Sequence, residues 1–574
     1  MTVARAVGRV LAACGADTVF CVVGSGNFHV TNALVEQGVR FVAARHEGGA
    51  ATMADAYVRV SGGPAVVSVH QGPGLTNAVT GLAEAAKSRT PLVVLAGEAT
   101  DPRSNFHIDQ DALASAVGAV PMRVASPQAA AATALEAFRL AWSERRTVLL
   151  NLPLDVQAAP APPTGEVEEE ARRLFPGVAD RSGAVPSGAE LRELVRLLLA
   201  ARRPVFVAGR GARHARRELE ELAGLTGALT ATSAVAKGLF RGSPWDLDVS
   251  GGFATPLAAE LIAGADLLVG WGCALNMWTT RHGSLVGPGA TVVQVDLDRA
   301  AAGAHVPVRL AVTGDVATVA RAAAEGVAAL ARPSAQEPAA GGEPAGETTP
   351  GGPGVRGYRS PELARRIAAE GRWRDVPYED ESGEGGIDPR TFTIGLDDLL
   401  PAERIISIDS GNFMGYPSML MDVPDEGGFC FTQAFQSVGL GLATAIGAAL
   451  ARPDRLPVAA LGDGGALMGA AELETVVRLG LPMVVVVYDD EAYGAEVHHF
   501  GPHGHPLDTV TFPPADLAAV ARGHGFAAVT VTRPSDLDGV ARWLEGPRDR
   551  PLLVHGKVTG RRGAWWLEEA FKGH

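Results

Sequence analysis

The sequence predicts an α/β protein built from doubly wound parallel sheets, and three observations carry that expectation. Short apolar runs of strand length alternate with helical segments along most of the chain, the pattern of buried parallel strands and their crossovers. Several of these runs end in glycine-rich or acidic turns, where open sheets of this kind bind ligands. The 574 residues allow about three or four domains at the usual ~150 residues each, and Pro-rich connectors divide the chain into three.

Bulk properties narrow the class. Hydrophobic residues make up 47% of the chain, enough for several cores. The net charge of −14 argues against binding nucleic acid by bulk attraction. Cys14, Cys21, Cys273 and Cys430 are scattered with no CxxC pair, which argues against a disulfide framework or a structural zinc site. The opening residues read as an amphipathic helix and a strand, interrupted by Arg5, Arg9 and Asp17. Neither a signal peptide nor a membrane span is expected, and the expected location is cytoplasmic.

Residues 1–160 form the first domain, with strands expected at Thr18–Val23, Ala65–Val69, Leu92–Leu95 and Val148–Leu152. Gly24-Ser25-Gly26-Asn27 closes the first of them. Glu47 sits in Arg45-His46-Glu47-Gly48-Gly49-Ala50-Ala51, at the start of a helix. It reads either as an acid complementing the helix dipole or as a carboxylic acid kept protonated by apolar company. His70 opens the turn His70-Gln71-Gly72-Pro73-Gly74, which runs on to Asn77. It reads as a proton relay or as a hydrogen-bonded structural residue.

A Pro- and Glu-rich connector, 158–186, leads to a second α/β domain at 187–330. Its strands are expected at Pro204–Ala208, Leu267–Trp271 and Thr291–Val295, with a glycine turn at Gly209 and Gly211. Residues 331–358, rich in Pro, Gly, Ala and Glu, read as a flexible linker. The final domain covers 359–574. Its first strand, Arg404–Ile408, ends at Asp409-Ser410-Gly411-Asn412, a loop suited to a diphosphate.

The most informative stretch runs from Leu461 to Gly494. A strand enters Gly462-Asp463-Gly464-Gly465, a helix is expected at Ala470–Leu479, and a second strand, Met483–Tyr488, ends in Asp489-Asp490. Glycines let the backbone approach a ligand closely, and a helix N-terminus there would favour a phosphate. Asp463 and Asp490 could share Mg²⁺, which takes few protein carboxylates and leaves room for phosphate and water. Without a ligand, the same stretch reads as solvated acidic turns.

Together these motifs resemble the thiamine diphosphate enzyme superfamily, in its acetolactate synthase and benzoylformate decarboxylase branch. The resemblance implies pyrimidine-binding, central Rossmann-like and diphosphate-binding domains. The family's GDG…Asn-Asn signature is matched by Gly462-Asp463-Gly464, with Asp489-Asp490 replacing the Asn pair. The implied metal ligands are Asp463, Asp490 and the carbonyl of Ala492, with an added negative charge beside the diphosphate. Gly24, Gly72, Asn77, Gly411, Asn412, Gly465 and Tyr493 fall at cofactor-binding positions. Gln436 and Val438, in Gln436-Ser437-Val438-Gly439-Leu440-Gly441, match the segment that accepts from the cofactor's amino group and wedges between its rings; alone, Val438 reads as a core residue.

Glu47 matches the acid that hydrogen-bonds the aminopyrimidine, and His70 matches an active-site His of benzoylformate decarboxylase. His107 aligns with a pocket Gln of acetolactate synthase. His499 stands where that enzyme has a substrate-channel Trp, and with His498 it also reads as a metal-binding pair. The central domain holds FAD in some relatives, through residues such as Gly209, Gly211 and Arg281, and the sequence leaves FAD open. The implied activity is decarboxylation of a 2-keto acid with ligation to a carbonyl acceptor. Non-ligating decarboxylation or C–C cleavage is the alternative, and a catalytically silent homologue a third reading. A homodimer or homotetramer is implied, with Glu47 of one subunit facing the diphosphate domain of another.

Overall fold

The computed structural model describes residues 1–177, 185–331 and 357–567. Most of the expected linker at 331–358 lies outside the described residues. The described chain forms three six-stranded sheets, and every strand pairing in them is parallel.

The first sheet contains β1 (Thr18–Cys21), β2 (Arg40–Ala43), β3 (Ala65–Val69), β4 (Leu92–Glu98), β5 (Val120–Arg123) and β6 (Thr147–Pro153). The second contains β7 (Pro204–Ala208), β8 (Leu229–Thr232), β9 (Asp246–Val249), β10 (Leu267–Trp271), β11 (Thr291–Asp296) and β12 (Leu310–Thr313). The third contains β13 (Arg404–Ile408), β14 (Phe429–Phe431), β15 (Leu456–Gly462), β16 (Val484–Asp489), β17 (Ala527–Val531) and β18 (Leu552–Lys557). The first sheet runs β2-β1-β3-β4-β6-β5 and the third runs β14-β13-β15-β16-β18-β17, the same plan. The second runs β12-β11-β10-β7-β8-β9, the order of a dinucleotide-binding sheet.

The apolar runs become strands because both faces of each sheet are covered by helices. Every residue of β3, β4, β6 and β16 is buried, which is why these segments lack polar alternation.

Two compact units result. One joins the first and third sheets, and the other holds the second sheet with the chain as far as Tyr378. In the first unit, helix Glu47–Ser61 packs on helix Gly441–Ala451. Both are rich in Ala and Gly, and a Cβ at Gly447 would collide with the carbonyl of Met53. Small residues therefore set how closely these helices approach.

Locally, the helix expected at Ala470–Leu479 forms as Glu472–Arg478, and a further short helix, Asp463–Met468, precedes it. The chain turns helical directly after Gly462, so Asp463 lies on the first turn rather than in a loop. With six residues, that first helix supplies little dipole, so the site depends on side chains.

Candidate active site

β15 and β16 are neighbours, with Gly462 in register with Tyr488, so their acidic ends emerge side by side. Burial raises the pKa of Asp463 to about 7, helped by the charges of Asp490 and then Asp489. Burial likewise raises Asp490 to about 6, a donor from Asn412 opposing and the charge of Asp489 adding. Two partly buried carboxylates that disfavour each other's charge form a donor set for a hard divalent cation.

Asn412 completes this corner. Its Nδ2 donates to Asp490 Oδ2 at 3.1 Å, while its Oδ1 is buried without a partner. Such orphans are rare and point to an unfilled interaction. A Cβ at Gly494 would fall on the Asp490 carboxylate, and one at Gly464 would come within 3.1 Å of the Tyr493 ring. These glycines leave room for the Asp490 and Tyr493 side chains at this corner. These residues fit a cation with a diphosphate.

Asp489 is committed elsewhere. Its Oδ2 accepts from His555 Nε2 at 2.6 Å and from Lys557 Nζ at 2.8 Å, and its Oδ1 accepts from the amide of Glu491 at 3.0 Å. Burial alone would raise its pKa, but hydrogen bonds from His555 and Lys557 hold it below the ordinary carboxylate range. The sequence reading gave Asp489 no role of its own, and the structure gives it these partners.

A loop at 432–440 borders this cluster. Gln436 takes a left-handed φ of +59° and Gly439 one of +92°, so the chain doubles back around Val438, which is 40% exposed. Buried Asp409 fixes one end, accepting from the amides of Gly439 at 3.0 Å and Leu440 at 3.2 Å. Buried Glu84 fixes the other, accepting from the amides of Ala434 at 3.0 Å and Phe435 at 2.6 Å. Arg59 ties Glu84 in at 2.7 Å. Gly411, with φ +143°, precedes Asn412 in the neighbouring loop.

The first sheet carries a second cluster. Asn77 Nδ2 donates to Glu47 Oε2 at 3.1 Å, and Glu47 is only half-buried. A hydrogen-bonded, partly wet carboxylate replaces the apolar enclosure expected from the surrounding small residues. A Cβ at Gly74 would lie 3.4 Å from Glu47 Oε1 and 3.0 Å from His70 Cβ, so these two side chains flank one glycine. His70 Nδ1 lies 2.9 Å from the Gln71 carbonyl and Nε2 lies 3.3 Å from Ser25 Oγ. A carbonyl can only accept, so Nδ1 bears a hydrogen, and Nε2 faces the Ser25 hydroxyl. Gly24 is required because a Cβ there would strike the His70 ring. Gly72, at φ +61°, fits under Phe106, and Gln110 accepts from its amide at 3.2 Å.

Glu47, Asn77, His70, Gly24 and Gly72 are thus brought together, as are Gly411, Asn412, Val438, Gly462, Asp463, Gly464, Gly465, Asp490 and Tyr493. No hydrogen bond among the described residues joins Glu47 to the second group. His107 is exposed, with Nδ1 2.8 Å from the carbonyl of Ala99. The His499 ring lies 4.7 Å from that of Phe500 and 6.1 Å from that of His503. Among the described residues no group of three or more His, Cys, Asp or Glu gathers as a metal cage.

In the second sheet, the residues named for FAD have internal duties. Gly209 and Gly211 give space to the backbone of Gly272 and Cys273, and Arg281 donates to the carbonyls of Gly251 and Ala254. They carry no argument for a flavin. All four cysteines are buried and none is in a disulfide, and no described helix is long and apolar enough to cross a membrane.

The sequence reading missed Asp409, Glu84, Gln110, His555 and Lys557 as site-shaping residues. Asp409 was visible inside its SGN loop; the others act across long sequence separations.

Comparison with known proteins agrees with this geometry. Family profiles described as thiamine pyrophosphate enzyme match residues 1–118 as the N-terminal TPP binding domain, 191–323 as the central domain and 409–555 as the C-terminal TPP binding domain. The sulfoacetaldehyde acetyltransferase of Alcaligenes xylosoxydans xylosoxydans is 30% identical, covering 86% of this chain and 82% of its own. The probable 2-ketoarginine decarboxylase AruI of Pseudomonas aeruginosa is 29% identical over 95% of this chain and 91% of its own. The acetolactate synthase isozyme 2 large subunit of Escherichia coli is 26% identical over 99% and 97%. A solved structure, the thiamine diphosphate-dependent 4-hydroxybenzoylformate decarboxylase of Rhodococcus jostii RHA1, shares the fold at a TM-score of 0.76 and 23% identity, covering 97% of this chain and 99% of that one. Matched by all three of its domain profiles, the chain belongs to the thiamine pyrophosphate enzyme family and is a thiamine diphosphate-dependent enzyme of the transferase and lyase kind.

Proposed function

We propose that the chain decarboxylates a 2-keto acid on thiamine diphosphate held with Mg²⁺. The observation that carries this reading is the corner formed by Asp463, Asp490 and the unpartnered Asn412 Oδ1. Asp463, Asp490 and the Ala492 carbonyl would hold the metal, Gly411, Gly464 and Gly465 would line the diphosphate, and Val438 would support the bent coenzyme. When bound, thiamine diphosphate supplies an electron sink for the bond that breaks as CO₂ leaves.

Glu47, steadied by Asn77, would hydrogen-bond the aminopyrimidine. Its carboxylate meets Asn77 rather than the Asp463 cluster within one chain, which supports a homodimer or a homotetramer of dimers in which Glu47 serves the neighbour's coenzyme. With Nδ1–H spent on Gln71, His70 Nε2 is left to its contact with Ser25 Oγ. It can take a proton through Ser25 and return it to the carbon that has lost CO₂, favouring release of an aldehyde.

A second reading is ligation of that carbon to a carbonyl acceptor. The acetyltransferase and acetolactate synthase relatives favour it. His107 and His499 are candidates to line either substrate.

The test is CO₂ release from a panel of 2-keto acids, with and without thiamine diphosphate and Mg²⁺, and product analysis with a carbonyl acceptor added. Aldehyde supports the first reading and a hydroxyketone or hydroxyacid the second. Glu47→Gln should bind the coenzyme normally yet lose roughly 10²–10⁴ in turnover. Undiminished turnover would contradict the role given to Glu47.

A further inference from the structure

The first Asp of the Asp489-Asp490 pair adds a negative charge two positions after the last valine of β16, yet it turns away from the metal corner. It is 3% exposed and is gripped from β18, whose residues Val487↔His555 and Asp489↔Lys557 stand in register with β16. His555 and Lys557 both donate to Asp489 Oδ2. Lys557 Nζ also reaches Glu491 Oε1 at 2.7 Å.

Glu491 lies between Asp490 and Ala492 and adopts φ +57°, a left-handed conformation that L residues with a side chain disfavour. Such a conformation persists only where the surroundings fix it. Here they do so three times. Its amide donates to Asp489 Oδ1, its carbonyl accepts from Phe512 at 2.9 Å, and its carboxylate is held by Lys557. Lys557 enters two of these three restraints, holding the Glu491 carboxylate directly and the Asp489 carboxylate that receives its amide.

We propose that Lys557, assisted by His555, is a positioning residue for the cation loop: it neutralises Asp489, keeps it out of the coordination sphere, and locks Glu491 in its left-handed turn. The inference rests on the reading of Asp463 and Asp490 as a metal and diphosphate site. It also accounts for an acid at 489, because an acid there has a cation to meet.

The experiment is calorimetric titration of dialysed protein with thiamine diphosphate at saturating Mg²⁺, on wild type, Lys557→Met, Asp489→Asn and the double variant. If wild type gives no binding, the reading of the site fails first and is recognised as such. If wild type binds, Lys557→Met should weaken the coenzyme by at least about tenfold, the range typical of lost supporting contacts at metal sites. Adding Asp489→Asn to it should recover at least about threefold of the lost affinity, because the charge left uncompensated at 489 has been removed while Glu491 stays unheld. A purely structural lysine would show no such recovery. Affinity of Lys557→Met within about twofold of wild type, or a double variant as weak as the single, overturns the proposal. Should Lys557→Met not fold, Lys557→Gln keeps a donor to Asp489, drops the charge, and is read by the same two criteria.

Discussion

The first and third sheets have one strand order and carry the same four residues after their corresponding strands: Ser25-Gly26-Asn27-Phe28 after β1 and Ser410-Gly411-Asn412-Phe413 after β13. The two asparagines differ completely in how their polar atoms are satisfied. Asn27 is fully buried; its Oδ1 accepts from Gly24 at 2.8 Å, and its Nδ2 donates to the Val22 carbonyl at 3.2 Å and to Ser68 at 3.1 Å. Asn412 donates to Asp490 and leaves Oδ1 with no partner. The first loop is closed on itself and serves the fold, while the second is left open toward a ligand. A motif acquires its role from whether the surrounding protein completes its hydrogen bonds.

Several variants sharpen or break this contrast. The largest effect is expected from Asp463→Ala, which removes half of the carboxylate pair. Coenzyme affinity in Mg²⁺, measured by fluorescence quenching, should fall by at least about 100-fold; retained affinity would remove Asp463 from the site. Next come the asparagines. Asn27→Ala should lower stability in urea unfolding by about 2–4 kcal/mol, since it strands several buried groups. Asn412→Ala should cost under about 1 kcal/mol in the same measurement while weakening the coenzyme about tenfold. Equal destabilisation by the two would erase the distinction. The smallest effect is expected from Asp490→Asn, which keeps an oxygen ligand and the Asn412 contact. Coenzyme affinity should stay within about threefold of wild type, and its complete loss would make the charge at 490 essential.

The same contrast explains what was legible in the sequence. Strands buried on both faces announce themselves as apolar runs, so all three sheets could be expected. Gly462-Asp463-Gly464 and the acids at 489–490 were legible because strand ends and turns are local. Partners supplied by other elements were not. Glu84 reaches the amide of Ala434 across 350 positions, Glu472 reaches that of Arg45 across 427, and Lys557 meets Asp489 across 68. Nothing in the spacing of an isolated Glu or Lys distinguishes such a contact from a solvated surface charge. The short helix Asp463–Met468 escaped because its glycine-rich opening reads locally as a turn.

The most direct test of the account is a crystal structure grown with thiamine diphosphate and Mn²⁺ in place of Mg²⁺, read by anomalous scattering. The account predicts one strong peak per chain between Asp463 and Asp490, with Asn412 Oδ1 turned to the ligand and Asp489 still on Lys557. A peak elsewhere, or Asp489 inside the coordination sphere, would contradict it.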